Sequence, residues 1–236
     1  MANMVVVFDS DVATSAAKRS SLARLSELVS KGTNVKLLYS PNSPYVRKCL
    51  VVASELGLRE RIETVDADAN PTRRNPEIAA KNPLGKLPTL IADDGAAIYD
   101  SPVICEYLNA LGGGTLIPRN GPARWKVLVE QALADGILDA AVLARYEAAL
   151  RPESLRWKEW SAGQEDKITL GLDELERRAA GFGDRVDLGT IAFACMLGYI
   201  DFRFAHLSWR STRPKTAAWL QKFSQRESMI KAPAPR

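Results

Sequence analysis

The sequence predicts two unequal domains, a small α/β unit followed by an all-helical bundle. Three observations predict it. Between residues 35 and 111, short apolar strands alternate with helix starts marked by Ser-Pro steps. A glycine run, Gly112 to Gly114, then interrupts the chain. Beyond Pro122 the apolar pattern reads as successive helices to about residue 230. A chain of 236 residues with 46% apolar and 25% charged side chains is long enough for one large domain or two small ones, each with a real core.

The elements follow in order. Val35 to Tyr39 reads as a strand and ends in Ser40-Pro41-Asn42-Ser43-Pro44. Ser43 is an N-cap and Pro44 the first residue of a helix that runs through VRKCLVVASELG and stops at Gly57. Ile62 to Val65 is a second strand, and Asn70 to Pro83 reads as an irregular, proline-rich stretch. Leu90 and Ile91 form a short strand. Asp94-Gly95 is the turn dipeptide of a hairpin whose return strand runs through Ile98 and Tyr99. Ser101 is placed as the next N-cap, with Pro102 at the first helical position. Pro88 leads a strand, where a missing N–H weakens pairing. Either it is an ordinary strand-leading proline or its peptide is cis, which turns the chain and frees the backbone of Leu87 for an extended peptide ligand. Strand-helix-strand followed by strand-strand-helix is the thioredoxin-like layout.

In the second half, Pro122 opens a long helix to about Leu150, broken off by Pro152. A second helix covers about Leu155 to Ala180. A third, Leu188 to about Ala205, is apolar nearly all round and belongs at the centre of a bundle, its start framed by Asp187 and Thr190. Shorter helices near 214–223 and 226–230 close the domain. The expected boundaries are an extension over 1–34, an α/β domain over 35–111, a linker over 112–121, a helical domain over 122–230 and a disordered tail over 231–236. The extension is read as an overlong gene model, with Val35 in a GTG start codon, or else as a disordered or loosely helical arm.

Composition narrows the function. The formal charge of +4 is dispersed, with Arg73-Arg74 and Arg177-Arg178 as the notable basic doublets. That argues against a nucleic-acid surface and favours anionic small molecules. No apolar run reaches the roughly 20 residues that span a bilayer, so no membrane partner is expected. Cys49, Cys105 and Cys195 sit singly on apolar helix faces, which suits free buried thiols in a reducing, cytoplasmic setting. With one histidine, His206, and no clustered cysteine, a metal centre or a histidine triad has little to work with.

The strings SPNSPYVRK, NPLGKLPTL and YDSPVICEYL, then ADGILDA and VDLGTIAFACMLGYIDFR, resemble the cytosolic glutathione S-transferase family from Val35 to about Ser228. The second-half strings look most like a bacterial glutathione transferase-like subgroup. The resemblance implies glutathione as co-substrate, no metal, a small and partly apolar electrophile as second substrate, and a homodimer built on the helices after Ser101 and after Pro122. It implies that Ser43 donates a hydrogen bond to the glutathione thiolate at a helix N-terminus, with Tyr39 as its competitor. Leu87, before Pro88, would pair with the cysteinyl backbone, Asp100 would receive the γ-glutamyl ammonium, Ser101 the γ-glutamyl carboxylate and Lys86 the glycyl carboxylate. Relatives with cysteine at the Ser43 position act as thiol reductases, so serine here implies conjugation instead. Many relatives carry Ser/Thr then Asp at the third helix start, where this chain has the types exchanged. A second-substrate pocket is expected near Asp135, Leu138, Tyr146 and Trp157. The other reading is a non-catalytic binding or interaction module on the same fold.

Overall fold

The computed structural model describes residues 34–234. The proposed extension therefore lies, except for Asn34, outside the described residues, as do the last two residues of the tail. Strand β1 (Val35–Tyr39) is followed by α1 (Pro44–Glu55), β2 (Ile62–Asp66), α2 (Pro76–Lys81), β3 (Thr89–Ile91), β4 (Ala97–Ile98) and α3 (Ser101–Leu111). The sheet order is β2-β1-β3-β4. β1 lies parallel to β2 from Val35 opposite Ile62 to Tyr39 opposite Asp66. β3 is antiparallel to both β1 and β4. Val35, Leu37 and Leu90 point into the core, where α1 buries Val46, Cys49, Leu50 and Val52. This is the predicted layout.

In this half of the chain two local expectations change. Within the stretch read as irregular, Asn75 caps a helix. Its Oδ1 accepts from the N–H groups of Glu77 at 2.9 Å and Ile78 at 3.3 Å, and Pro76 opens the first turn. Ile78, fully buried, anchors that turn. At α3, the N-cap is Asp100 rather than Ser101. The Asp100 carbonyl accepts the first helical bond, from Ile104 N–H at 2.9 Å, which moves Ser101 into the first turn.

The helical half contains α4 (Gly121–Leu150), α5 (Lys158–Ala179), α6 (Leu188–Arg203), α7 (Trp209–Thr212), α8 (Pro214–Phe223) and α9 (Glu227–Lys231). Every residue of α6 from Leu188 to Ile200 is buried. Its start carries a full capping box: Thr190 N–H donates to Asp187 Oδ1 and Asp187 N–H to Thr190 Oγ1, each at 3.0 Å. Exchanging the two residue types keeps both bonds. Phe193 of α6 stacks on Phe182 at 5.6 Å between ring centroids, and Trp219 of α8 meets Phe182 edge-on at 5.1 Å. Burying a side chain such as Phe193 stabilises the bundle by about 1.5–3 kcal/mol.

The second helix starts at Lys158, later than its periodicity suggests. Glu147 accepts from Arg151 Nε and from the N–H of Trp157, holding the connection as a separate turn over Glu153–Leu155. Lys231 and Ala232 also depart from the expected disordered tail. Lys231 completes α9, and the carbonyl of buried Ala232 accepts from Arg47 Nε of α1 at 2.7 Å. Gly198 leaves room for that guanidinium, since a Cβ there would lie 2.6 Å from it. Among the described residues no single helix is long and apolar enough to cross a membrane.

Candidate functional site

The sheet register gathers the predicted residues at one end of the small domain. Leu38 of β1 lies opposite Thr89 of β3, so the turn leaving β1 toward Ser43 runs beside the Leu87–Pro88 step. Leu90 lies opposite Ile98, so the chain leaving β4 returns past Pro88 into Asp100 and Ser101. Three main-chain connections thus meet at one end of the sheet, and two of them lead into helix N-termini. The unpaired N–H groups of such termini favour negative charge.

Ser43 sits at the start of α1, half-buried and extended, with φ −86° and ψ 114°. Its Oγ accepts from Val46 N–H at 3.3 Å, which leaves the hydroxyl proton to donate elsewhere. The Leu87–Pro88 peptide is cis. Among the described residues, neither the amide nor the carbonyl of Leu87 has a hydrogen-bond partner. The preceding turn is held by Asn82, whose Nδ2 donates to Lys86 O and Thr89 Oγ1 at 3.2 and 3.1 Å. Lys86 is exposed, Ser101 is buried and Asp100 is exposed. No capping bond consumes the Asp100 carboxylate. Tyr39 ends β1, half-buried and packed on the core.

The second-substrate expectation divides. Asp135 lines a cavity of about 520 Å³ between α3 and α4, together with Pro102, Val103, Glu106, Leu128 and Asp139. Leu138 is only 1% exposed and belongs to the core. Tyr146 and Trp157 are on the surface, outside that cavity.

The residues that sequence reasoning missed join the two halves of the chain. Lys48 of α1 is fully buried, and its Nζ donates to both Asp135 oxygens at 2.7 and 2.6 Å. Burial works against its charge, but Asp135 outweighs that and holds the ammonium pKa above its ordinary value. Tyr45, two residues past Ser43, donates its hydroxyl to Asp139 at 2.5 Å. Burial first, then that carboxylate, pushes the phenol pKa up, so Tyr45 stays protonated. The available signal was a lysine on the buried stripe of α1 and the four-residue spacing of Gln131, Asp135 and Asp139 on α4. The cysteines are buried and free, and burial lifts the Cys195 thiol to about 11.

Comparison with known proteins agrees with this architecture. Residues 42–111 match the model of the glutathione S-transferase N-terminal domain, and residues 158–222 that of the C-terminal domain. An uncharacterized GST-like protein of Escherichia coli K12, YibF, is 33% identical over 207 residues, 86% of this chain and 100% of that one. A glutathione transferase family member from Pseudomonas fluorescens Pf-5, solved with bound glutathione, superimposes with a TM-score of 0.83 at 44% identity. That match covers 86% of this chain and all of that one. A glutathione S-transferase from Methylobacillus flagellatus KT with glutathione bound gives 0.76 at 36% identity, over 85% of this chain and all of that one. By these matches and by its fold, the chain belongs to the glutathione S-transferase family.

Proposed function

We propose that the chain is a glutathione-dependent transferase that joins the glutathione thiolate to a small, partly apolar electrophile. The observation that carries this reading is Ser43. Its Oγ lone pair is engaged by Val46 N–H while its proton remains free, at a helix N-terminus at the end of the sheet where Leu87, Asp100 and Ser101 converge. A free thiol with a pKa near 8.5 is only a few per cent ionised at neutral pH. Lowering that value by about two units needs roughly 2.7 kcal/mol of preference for the thiolate. A charge-assisted hydrogen bond together with a helix terminus is of that order.

Glutathione lies extended across that end of the sheet in this reading. The unpaired backbone of Leu87 takes its cysteinyl segment, Asp100 its ammonium, buried Ser101 its γ-glutamyl carboxylate and Lys86 its glycyl carboxylate. The Pseudomonas and Methylobacillus relatives were solved with glutathione bound, which supports glutathione as the ligand. The sulfur then bonds to the electrophilic carbon, the leaving group departs with its electron pair, and the thiol proton passes to solvent. The three buried thiols suit a reducing, cytoplasmic compartment, where glutathione is abundant.

A second copy completes the assembly. Val103 of α3 and Trp125 and Val129 of α4 are large apolar side chains left 50%, 65% and 55% exposed. We place the two-fold interface there, and light scattering at micromolar concentration should give a dimeric mass.

Retention on immobilised glutathione, combined with turnover of a standard aryl-halide electrophile, tests the reading. Retention and turnover are expected, with turnover at neutral pH reduced at least about tenfold in Ser43→Ala. Retention without turnover of any electrophile would favour a binding module. Full activity in Ser43→Ala with loss in Tyr39→Phe would move the thiol-activating role to Tyr39.

A further inference from the structure

The cavity between α3 and α4 is bracketed by the proposed glutathione site. At one end Pro102 follows Ser101; at the other Asp139 accepts from Tyr45, two residues beyond Ser43. Its walls are apolar: Pro102, Val103, Leu128 and Ala132. Its charged groups are carboxylates, and they are unequally satisfied. Asp135 is neutralised by Lys48, and Glu106 is paired with Arg124. Asp139 has a phenol for a partner, and among the described residues no cation lies within ion-pair distance of it. Gln131, 4% exposed, lines the same cavity. Its Nε2 donates weakly to Asp135 at 3.4 Å, while its Oε1 has no hydrogen-bond partner among the described residues.

We infer that this cavity selects an apolar-bodied ligand carrying a cationic or hydrogen-bond-donating end, with Asp139 as its anchor. Three carboxylates line the cavity and two are matched by protein cations, so Asp139, which is exposed, is the one whose charge no protein cation balances among the described residues. Gln131, Asp135 and Asp139 follow each other at four-residue spacing on one face of α4. Eight residues of helix make that row about 12 Å long. A phenylalkyl ammonium is of that length, and 520 Å³ falls within the range of small-molecule sites. The selection runs against the net charge of +4, which favours anions over the molecule as a whole. Within the transferase reading, on which this assignment of substrate class rests, the preferred electrophile carries an amine rather than a carboxylate. A second copy seated on Val103 and Trp125 roofs the cavity and strengthens the anchor by excluding water.

The experiment uses the full-length protein, loaded with glutathione, and three unreactive probes: 4-phenylbutylammonium, 4-phenylbutanol and 5-phenylpentanoate. Calorimetry should rank their affinities in that order, with the ammonium at least about tenfold tighter than the carboxylate. Asp139→Asn keeps an acceptor for the Tyr45 hydroxyl and removes the charge. It should reduce the ammonium-to-carboxylate ratio to about twofold or less. Salt gives a second readout that needs no variant, because the wild-type ratio should shrink steadily as salt rises. A carboxylate that binds as well as the ammonium, or a ratio insensitive to both Asp139→Asn and salt, overturns the inference. Failure of the transferase reading looks different: no glutathione heat and no conjugation, with the probe ratio tested on the unloaded protein. An ammonium preference that persists there and depends on Asp139 upholds the cavity assignment alone.

Discussion

The two halves of the candidate site are built in opposite ways. The proposed glutathione half is assembled from connections at one end of the sheet, and each residue is placed by its immediate neighbours. Ser43 is set by Pro44 and the N–H of Val46, and Leu87 by cis Pro88 and the Asn82 turn. The cavity half is assembled from side chains far apart in the chain. Lys48 and Asp135 are separated by 87 residues, and Tyr45 and Asp139 by 94. A scaffold made this way can vary its cavity on α3 and α4 while the proposed thiol-binding end of the sheet stays as its local sequence dictates.

Breaking the long-range half should have the largest effect. Lys48→Met leaves Asp135 without its counter-charge in a largely buried setting and should destabilise the fold by about 3–5 kcal/mol. Adding Asp135→Leu should restore most of that loss, because the penalty lies in the orphaned charge. Denaturant unfolding of both variants checks this; equal losses in the single and double variants would mean that the pair does not act as a unit.

Breaking the local half should leave stability nearly alone and change binding. Asp100 is exposed and makes no capping bond, so Asp100→Ala should cost glutathione affinity about ten- to a hundredfold, or about 1.5–3 kcal/mol. Calorimetry reads this directly, and unchanged affinity would remove Asp100 from the site.

The smallest effect concerns the clasp behind α1, where Arg226 Nε and Nη2 donate to Glu55 at 2.8 Å and Ser228 adds a third bond. Arg226 first, then Ser228, hold the Glu55 carboxyl below its ordinary range, against the opposing effect of partial burial. A depressed carboxylate pKa contributes stability that is complete above the unfolded value of about 4.3 and is lost as pH falls through the folded value. Glu55→Gln should therefore melt below wild type at neutral pH, and the gap should close as pH falls below the unfolded value of about 4.3. A gap independent of pH would assign the effect to packing rather than charge.

The same contrast explains what the sequence disclosed. Ser43-Pro44, the Leu87-Pro88 step and the Asp187/Thr190 box are read from adjacent residues, because capping and turn chemistry act over about three positions. The helix Pro76–Lys81 carried the same kind of signal in Asn75-Pro76 but stood within a proline-rich stretch. The shift of the α3 N-cap from Ser101 to Asp100 is a one-residue matter, since both residue types can cap. Leu138, Tyr146 and Trp157 could not be sorted by sequence. Whether Leu138 or Tyr146 faces core, cavity or water depends on how α4 is rotated against α6 and α3, and the exposure of Trp157 depends on how the connection into α5 runs; no local pattern records either.

The central claim is that Ser43 stabilises a bound thiolate. Ultraviolet absorbance of the thiolate, followed across pH in the glutathione complexes of wild type and Ser43→Ala, tests it most directly. Both proteins should bind glutathione through Asp100, Ser101 and Lys86. The bound thiol should titrate below its free value of about 8.5 in wild type and at least about one unit higher in the variant. Identical titrations in the two complexes would contradict it.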